Sequence, residues 1–252
     1  MNSDRARQRL FVEAELSAGA LVTLDRSRAN YLVNVLRLRS RDEVLVFDGV
    51  HGEWMAELTR IDRRTWGLAV GERQRAQTAK HDLAYVFAPL KHGRLDYMVQ
   101  KAVEMGTGRL MPVLTQYGQV KRLNLDRMKA NAIEAAEQCG LLAVPEVDAP
   151  QPLGRLLQTW PKNEPERQIV YCDEARGGVD PVATLRRIKP SRLAVLIGPE
   201  GGFAPKEREL LRSLPFVTPI GLGPRILRAD TAAVAAFALV QALIGDWRTA
   251  GE

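Results

Sequence analysis

The chain has 252 residues, 46% apolar and 26% charged, which excludes a disordered protein and leaves room for one large domain or two modest ones. Lysine plus arginine exceed aspartate plus glutamate by 36 to 30, and a pI near 9.5 favours a polyanionic partner over a neutral small molecule. Cys139 and Cys172 form no CxxC and have no histidine pair nearby, so neither a disulfide framework nor a metal site is expected, and a reducing cytoplasm fits.

The N-terminal stretch MNSDRARQRLFVEAEL carries positive charge without an apolar run after it, and no window approaches the ~20 apolar residues of a membrane helix. Neither secretion nor membrane insertion is expected. From Arg9 to about Val70, short runs alternate: Leu10 to Val12, Leu21 to Leu24, Val44 to Phe47, Trp54 to Leu58 and Trp66 to Val70. Asp48-Gly49 and His51-Gly52 mark turns, so a small β-rich domain is predicted over residues 1–72. Between its strands, Tyr31, Leu32, Val35 and Leu36 recur at helical spacing within Ser27 to Leu38, with Arg26, Arg28, Arg37, Arg39 and Arg41 around them. Residues 73–80 lie in the polar, aperiodic stretch Gly71 to Lys80 and read as a linker.

Over residues 81–252 the pattern changes. Apolar runs at Leu83–Leu90, Leu110–Leu114, Ile169–Cys172, Leu193–Ile197 and Val217–Leu222 alternate with helical stretches near His92–Met105, Asp126–Cys139, Pro181–Ile188, Pro205–Leu214 and Thr231–Ile244. That order predicts an α/β domain with a mostly parallel sheet. In the first helix Leu95, Met98, Val99, Ala102 and Val103 share one arc, while Arg94, Tyr97, Lys101 and Glu104 share another, which is either a solvated face or one turned to a ligand. The last helix is apolar almost all round, which predicts burial on every side, completed by a subunit interface.

Two loops carry the chemistry. Leu193 to Phe203 is an apolar strand running into a glycine-rich turn, with Pro205 where a helix can begin; Gly198, Gly201 and Gly202 would let the backbone approach a flat ligand in a strand-end crevice. A P-loop pattern is absent. Ile220 to Thr231 repeats the arrangement, with Asp230 or Thr231 available as a helix cap. Gly221-Leu222-Gly223 begins like a dinucleotide fingerprint, but Pro224 interrupts the turn and Ile226 fills the third glycine position, which disfavours a nicotinamide site. Arg225 and Arg228 beside two glycine loops suit phosphate or base-oxygen recognition.

GPEGGFxxxE, here Gly198 to Glu207, and LGxRILRxDTA, here Leu222 to Ala232, together resemble the RsmE family of small-subunit ribosomal RNA uracil-N3 methyltransferases, of the SPOUT class. Supporting matches are Lys91 to Arg94, Val99 to Gly106, Glu134 to Gln138, Val144-Pro145, Tyr31 to Arg37 and Val46 to Gly49, so the resemblance spans nearly the whole chain. Leu141 and Asn30 depart from the arginine and histidine common near those places, and Asp230 replaces a more usual glutamate. The resemblance implies an N-terminal PUA-like β-barrel that grips RNA and a C-terminal SPOUT domain with a deep trefoil knot, paired into a homodimer. It implies S-adenosyl-L-methionine as cofactor, held by Ile197, Gly198, Pro199, Glu200, Gly201, Gly202, Ile220, Gly221, Leu222, Gly223, Ile226, Leu227, Arg228, Ala229 and Thr231. Arg225 or Arg228 would stabilise a deprotonated uracil, with Glu200 or Asp230 as proton acceptor. Arg9, Arg37, Lys91, Arg94 and Lys101 are the candidate contacts to 16S ribosomal RNA in the small subunit. The competing readings are a SPOUT enzyme of other specificity, such as ribose 2′-O-methylation of transfer or ribosomal RNA, and a non-catalytic RNA-binding assembly protein.

Overall fold

The computed structural model describes residues 8–120, 122–176, 180–188 and 192–248, so residues 1–7 of the charged N-terminal stretch lie outside it. The chain divides into two compact units, Met1–Lys80 with Ala136–Val144, and His81–Ala135 with Pro145–Glu252.

The first unit holds β1 (Arg9–Phe11), β2 (Leu21–Thr23), α1 (Arg26–Asn30), β3 (Glu43–Phe47), β4 (Glu53–Arg60) and β5 (Trp66–Arg75). Its strands form one sheet in the order β1-β3-β4-β5-β2, antiparallel except for the β1–β3 pair. Alternation puts Val44 and Val46 of β3, Ala56 and Leu58 of β4 and Leu68 and Val70 of β5 into one core. β5 runs on to Arg75, through the first half of the polar stretch read as a linker. Residues 71–75 are exposed there, so no inside-outside alternation marks them as strand.

The predicted helix over Ser27 to Leu38 is two pieces. Asp25 caps α1 by accepting the Arg28 N–H at 2.8 Å, and a single π-helical turn follows over Tyr31–Val35. Only Leu32 of the four apolar positions is buried; Tyr31 and Val35 are 37% and 60% exposed. A π turn bonds each N–H to the carbonyl five residues back, as Leu36 does to Tyr31, so side chains three apart, such as those of Leu32 and Val35, no longer share one face. Arg37 and Arg41 then adopt left-handed backbone with φ of 57° and 75°, uncommon for residues with a Cβ.

The second unit holds β6 (Leu83–Phe87), α2 (His92–Glu104), β7 (Thr107–Leu114), α3 (Leu125–Cys139, its last turn counted with the first unit), β8 (Glu146–Val147), β9 (Gln151–Pro152), α4 (Leu153–Asn163), β10 (Gln168–Cys172), α5 (Pro181–Leu185), β11 (Leu193–Ile197), α6 (Pro205–Ser213), β12 (Val217–Ile220) and α7 (Ala229–Ile244). The sheet order is β12-β10-β11-β6-β7-β8, with β9 also on β7, and every pairing is parallel. All five residues of β6 and of β11 are buried, as expected of central parallel strands covered on both faces, which explains their unbroken apolar runs. On one face Ala84, Val86, Ala194 and Leu196 pack with Leu153, Leu156, Leu157 and Trp160 of α4 and Leu211 of α6. On the other, Tyr85 meets Phe237 of α7 edge to face at 5.0 Å.

α7 covers less than its composition suggests. Ala233, Ala236, Phe237, Val240 and Gln241 form a buried stripe, whereas Ala235, Ala238, Leu239 and Leu243 are half-buried and Ala242 is exposed. It starts at Ala229, with Arg228 at the cap position, so neither Asp230 nor Thr231 is the cap: Asp230 sits in the first turn and accepts the Thr231 N–H at 2.8 Å.

Candidate active site

β10, β11 and β12 run parallel, with Tyr171 beside Leu196 and Cys172 beside Ile220, so their carboxyl ends and the loops that follow converge. A cavity of about 210 Å³ opens there. Its walls are Tyr171 to Glu174, Ile197 to Glu200, Gly202, Phe203, Leu222, Gly223, Arg225 to Ala229 and Ala232. The two glycine loops singled out in the sequence therefore face one space.

The glycines are needed at two points. A Cβ on Gly198 would lie 2.7 Å from a ring carbon of Phe203, which is buried edge-on against Tyr171 at 5.3 Å between centroids. Gly202 has φ of +69°, and a Cβ there would come within 2.7 Å of the Glu174 carboxylate. Glu207, the last residue of the first motif, is in α6: it accepts the Ala204 N–H at 3.0 Å and the Gln116 N–H at 2.9 Å, fixing the loop rather than entering the cavity.

Each acidic side chain of the wall has a cationic partner. Asp173 is buried; its Oδ2 accepts Nε and Nη2 of Arg212 at 2.8 and 2.5 Å and its Oδ1 accepts the Ala175 N–H at 3.1 Å. Glu174 lies 3.4 Å from Nη2 of Arg208, and Glu200 lies 3.6 Å from Nη1 of Arg94. Arg225 and Arg228 are exposed on the rim and make no ion pair among the described residues. Burial pushes the Cys172 thiol up to about 12, so it faces the cavity neutral. Beneath, the Tyr85 hydroxyl is buried without a hydrogen-bond partner, and its pKa is raised by burial first and then by nearby Cys172 and Asp230.

Of the residues marked in the sequence, Ile197, Gly198, Pro199, Glu200, Gly202, Leu222, Gly223, Arg225, Ile226, Leu227, Arg228 and Ala229 line the cavity. Gly201, Ile220, Gly221, Asp230 and Thr231 flank it without lining it: Ile220 and Gly221 are buried, and Gly201 faces Tyr117. Sequence reading missed Asp173, Glu174, Tyr171 and Phe203. The acidic pair directly after an apolar strand was a usable signal for the first two; nothing in the spacing pointed to Arg212.

Residues 77–241 match the model of the RNA methyltransferase domain, and residues 24–65 match that of the RNA methyltransferase PUA domain. The ribosomal RNA small subunit methyltransferase E of Synechocystis sp. is 31% identical over 94% of this chain and 78% of its own length. The chain belongs to the ribosomal RNA small subunit methyltransferase E family. A second relative of that name, from Rickettsia conorii, is 28% identical over 93% of this chain and 95% of its own. The crystal structure of the Neisseria gonorrhoeae methyltransferase E bound to S-adenosyl methionine superposes with a TM-score of 0.81 at 26% identity, covering 96% of this chain and 99% of that one.

In this member of the methyltransferase E family the five candidate RNA contacts differ in what they are free to do. Arg37, Lys91 and Arg94 are exposed, although Arg94 is the partner of Glu200. Lys101 holds both oxygens of Glu104 at 2.7 and 2.8 Å, with its ammonium 5.6 Å from the Tyr97 ring. Arg9 is placed differently from the expectation. It donates to Glu53 at 2.6 Å, to the carbonyls of Ala136 and Glu137 at 2.8 and 2.7 Å and to that of Leu141 at 2.8 Å, all within the first unit. A guanidinium so committed ties β1 to the end of α3 within the first unit.

Proposed function

We propose that the protein transfers a methyl group from S-adenosyl-L-methionine to N3 of a uridine in 16S ribosomal RNA of the small ribosomal subunit. One observation carries this reading: a strand-end cavity walled by two glycine loops has its acids paired and two exposed arginines left on its rim. The cofactor fits the residues present. Gly198 and Gly202 leave space that a Cβ would remove, and Ile197, Leu222, Leu227, Ala229 and Ala232 offer an apolar wall to a flat ring. When bound, S-adenosylmethionine supplies an already activated methyl group.

The protein's remaining work is to place the uracil and relieve it of the N3 proton. Arg225 and Arg228 supply positive charge to a uracil anion, whose charge rests on its carbonyl oxygens. Glu200 lines the cavity and Asp230 does not, so Glu200 is the better placed of the two proposed proton acceptors, with Arg94 holding it. Arg37, Lys91 and Arg94 serve as phosphate contacts, which makes RNA affinity fall steeply with salt. The same reading takes residues 1–72 as the RNA-gripping PUA-like domain, 73–80 as the linker and 81–252 as a knotted SPOUT domain acting in the cytoplasm. The partly uncovered face of α7 serves a homodimer; a monomer by light scattering at micromolar concentration would overturn that part.

The deciding experiment incubates the protein with labelled S-adenosylmethionine and small subunits lacking their base methylation, then identifies the product nucleoside by mass spectrometry. The expected product is 3-methyluridine. A methylated ribose or another base would move the protein to a different specificity, and cofactor binding without transfer would favour a binding-only role. Arg225→Ala is expected to lower turnover with cofactor affinity retained, and Arg228→Ala to lower turnover; full turnover in both would remove the charge-stabilisation step.

A further inference from the structure

A second cavity, of about 420 Å³, lies between α2, α3 and the loop that leads into α3, within the ~300–1,000 Å³ of small-ligand pockets. Its floor is apolar, with Leu95 and Val99 of α2 and Met128 of α3. Asp96 organises one wall: it accepts Nε and Nη2 of Arg127 at 3.1 and 2.5 Å and the Asn131 amide at 2.7 Å. Lys91, Arg122 and Arg127 set three cations against that one carboxylate. An apolar floor, an amide at the wall and a cationic rim are what a nucleobase with its phosphate requires.

The two cavities share supports. Lys91 lines the second, and three residues further along the chain Arg94 reaches Glu200, in the wall of the first. The loop is tied to the glycine turn by Gln116, whose N–H donates to Glu207, and by Tyr117, whose Cβ lies 3.5 Å from where a Cβ on Gly201 would stand. From this juxtaposition we infer that the α2–α3 cavity takes a second, unpaired nucleotide of the RNA substrate, flanking the one presented to the first cavity. The inference rests on the proposed RNA methylation. It adds a separate recognition site, one that reads the strand beside the reacting base and contributes to choice of target.

The test cross-links the full-length protein to unmethylated small subunits with ultraviolet light and maps RNA adducts on its peptides. Adducts on α2 or on residues 119–131 are expected. The double variant Gln119→Ala with Arg122→Ala, both lining the cavity, should lose them and raise KM for the subunit about tenfold, with kcat and cofactor affinity within about twofold of the parent. Adducts confined to other regions, or an unchanged KM, would overturn the inference while leaving methyl transfer standing. If uridine monophosphate alone bound this cavity as tightly as the subunit does, the site would belong to a free nucleotide and the inference would fall. Should the parent protein transfer no methyl group, the proposed reaction fails, but the adduct map still decides whether RNA occupies this cavity.

Discussion

Replacing Arg9 by alanine separates a structural clamp from an RNA contact. The side chain is 12% exposed and joins the 4% exposed carboxylate of Glu53. Its other donors satisfy the Ala136, Glu137 and Leu141 carbonyls, and its guanidinium carbon stands 4.7 Å from the centre of the Phe47 ring. In the variant, Glu53 keeps only Arg75 among the described residues, at 3.5 Å, and three carbonyls lose the guanidinium that donates to them. Leaving a buried charge without its partner costs about 3–5 kcal/mol. At ~4–8 °C per kcal/mol for a unit of this size, the melting of the first unit drops by on the order of 10 °C or more. Arg9→Lys restores little, because one ammonium cannot span four acceptors held by a planar fork. Differential scanning calorimetry at neutral pH reads the effect. The reasoning fails if Arg9→Ala melts with the parent while its RNA affinity drops and the salt slope of binding shrinks by about one, since that is how a phosphate contact behaves.

Gly198→Ala forces a methyl group into the Phe203 ring and costs about 1–3 kcal/mol of local packing; calorimetric titration should show S-adenosylmethionine affinity reduced at least about tenfold, with Phe203→Leu recovering part of it, and unchanged affinity would refute the close-approach argument. The hydrogen bond from Arg192 holds the Asp82 carboxyl below its ordinary 3.8, burial opposes this and Arg167 reinforces it. Because the folded-state value is the lower one, Asp82 stabilises the fold above about pH 4 and loses that contribution as pH falls through the lowered value. The gap in melting temperature between the parent and Asp82→Asn should therefore close on acidification, and a constant gap from pH 7 to strongly acid solution would contradict the assignment. Burial keeps the Cys172 thiol neutral, so N-ethylmaleimide at pH 8 should modify native Cys139 well before Cys172; equal labelling would show that Cys172 is not held as described.

β6 and β11 of the second unit were readable because they are buried on both faces, and burial on both faces writes itself as an unbroken apolar run; the two-residue β8 and β9, with no buried position, leave no such run. α4 was not read, although Leu153, Leu156, Leu157 and Trp160 stand at helical spacing. Pro152 and Pro161 bracket that pattern, and prolines there argue locally for a loop. The π turn at Tyr31–Val35 was unreadable for a different reason: its side chains repeat like an α-helix while its backbone does not. At the cavity, glycines announce themselves through a missing side chain, whereas the pairing of Asp173 with Arg212 joins residues 39 apart in sequence and leaves no local trace.

That pairing decides the electrostatic character of the cavity. Counted along the chain, Asp173, Glu174 and Glu200 would make the wall acidic and would argue against an RNA base losing a proton there. Arg212, Arg208 and Arg94 arrive from α6 and α2 to neutralise them, while Arg225 and Arg228 are delivered by the loop before α7 and have no ion pair among the described residues. Carboxylates fixed in ion pairs repel an approaching phosphate less than free ones, and unpaired exposed arginines can turn to whatever anion arrives. The fold thus sorts its charges by partner rather than by sequence neighbour, and the positive remainder falls on the exposed rim of the cavity.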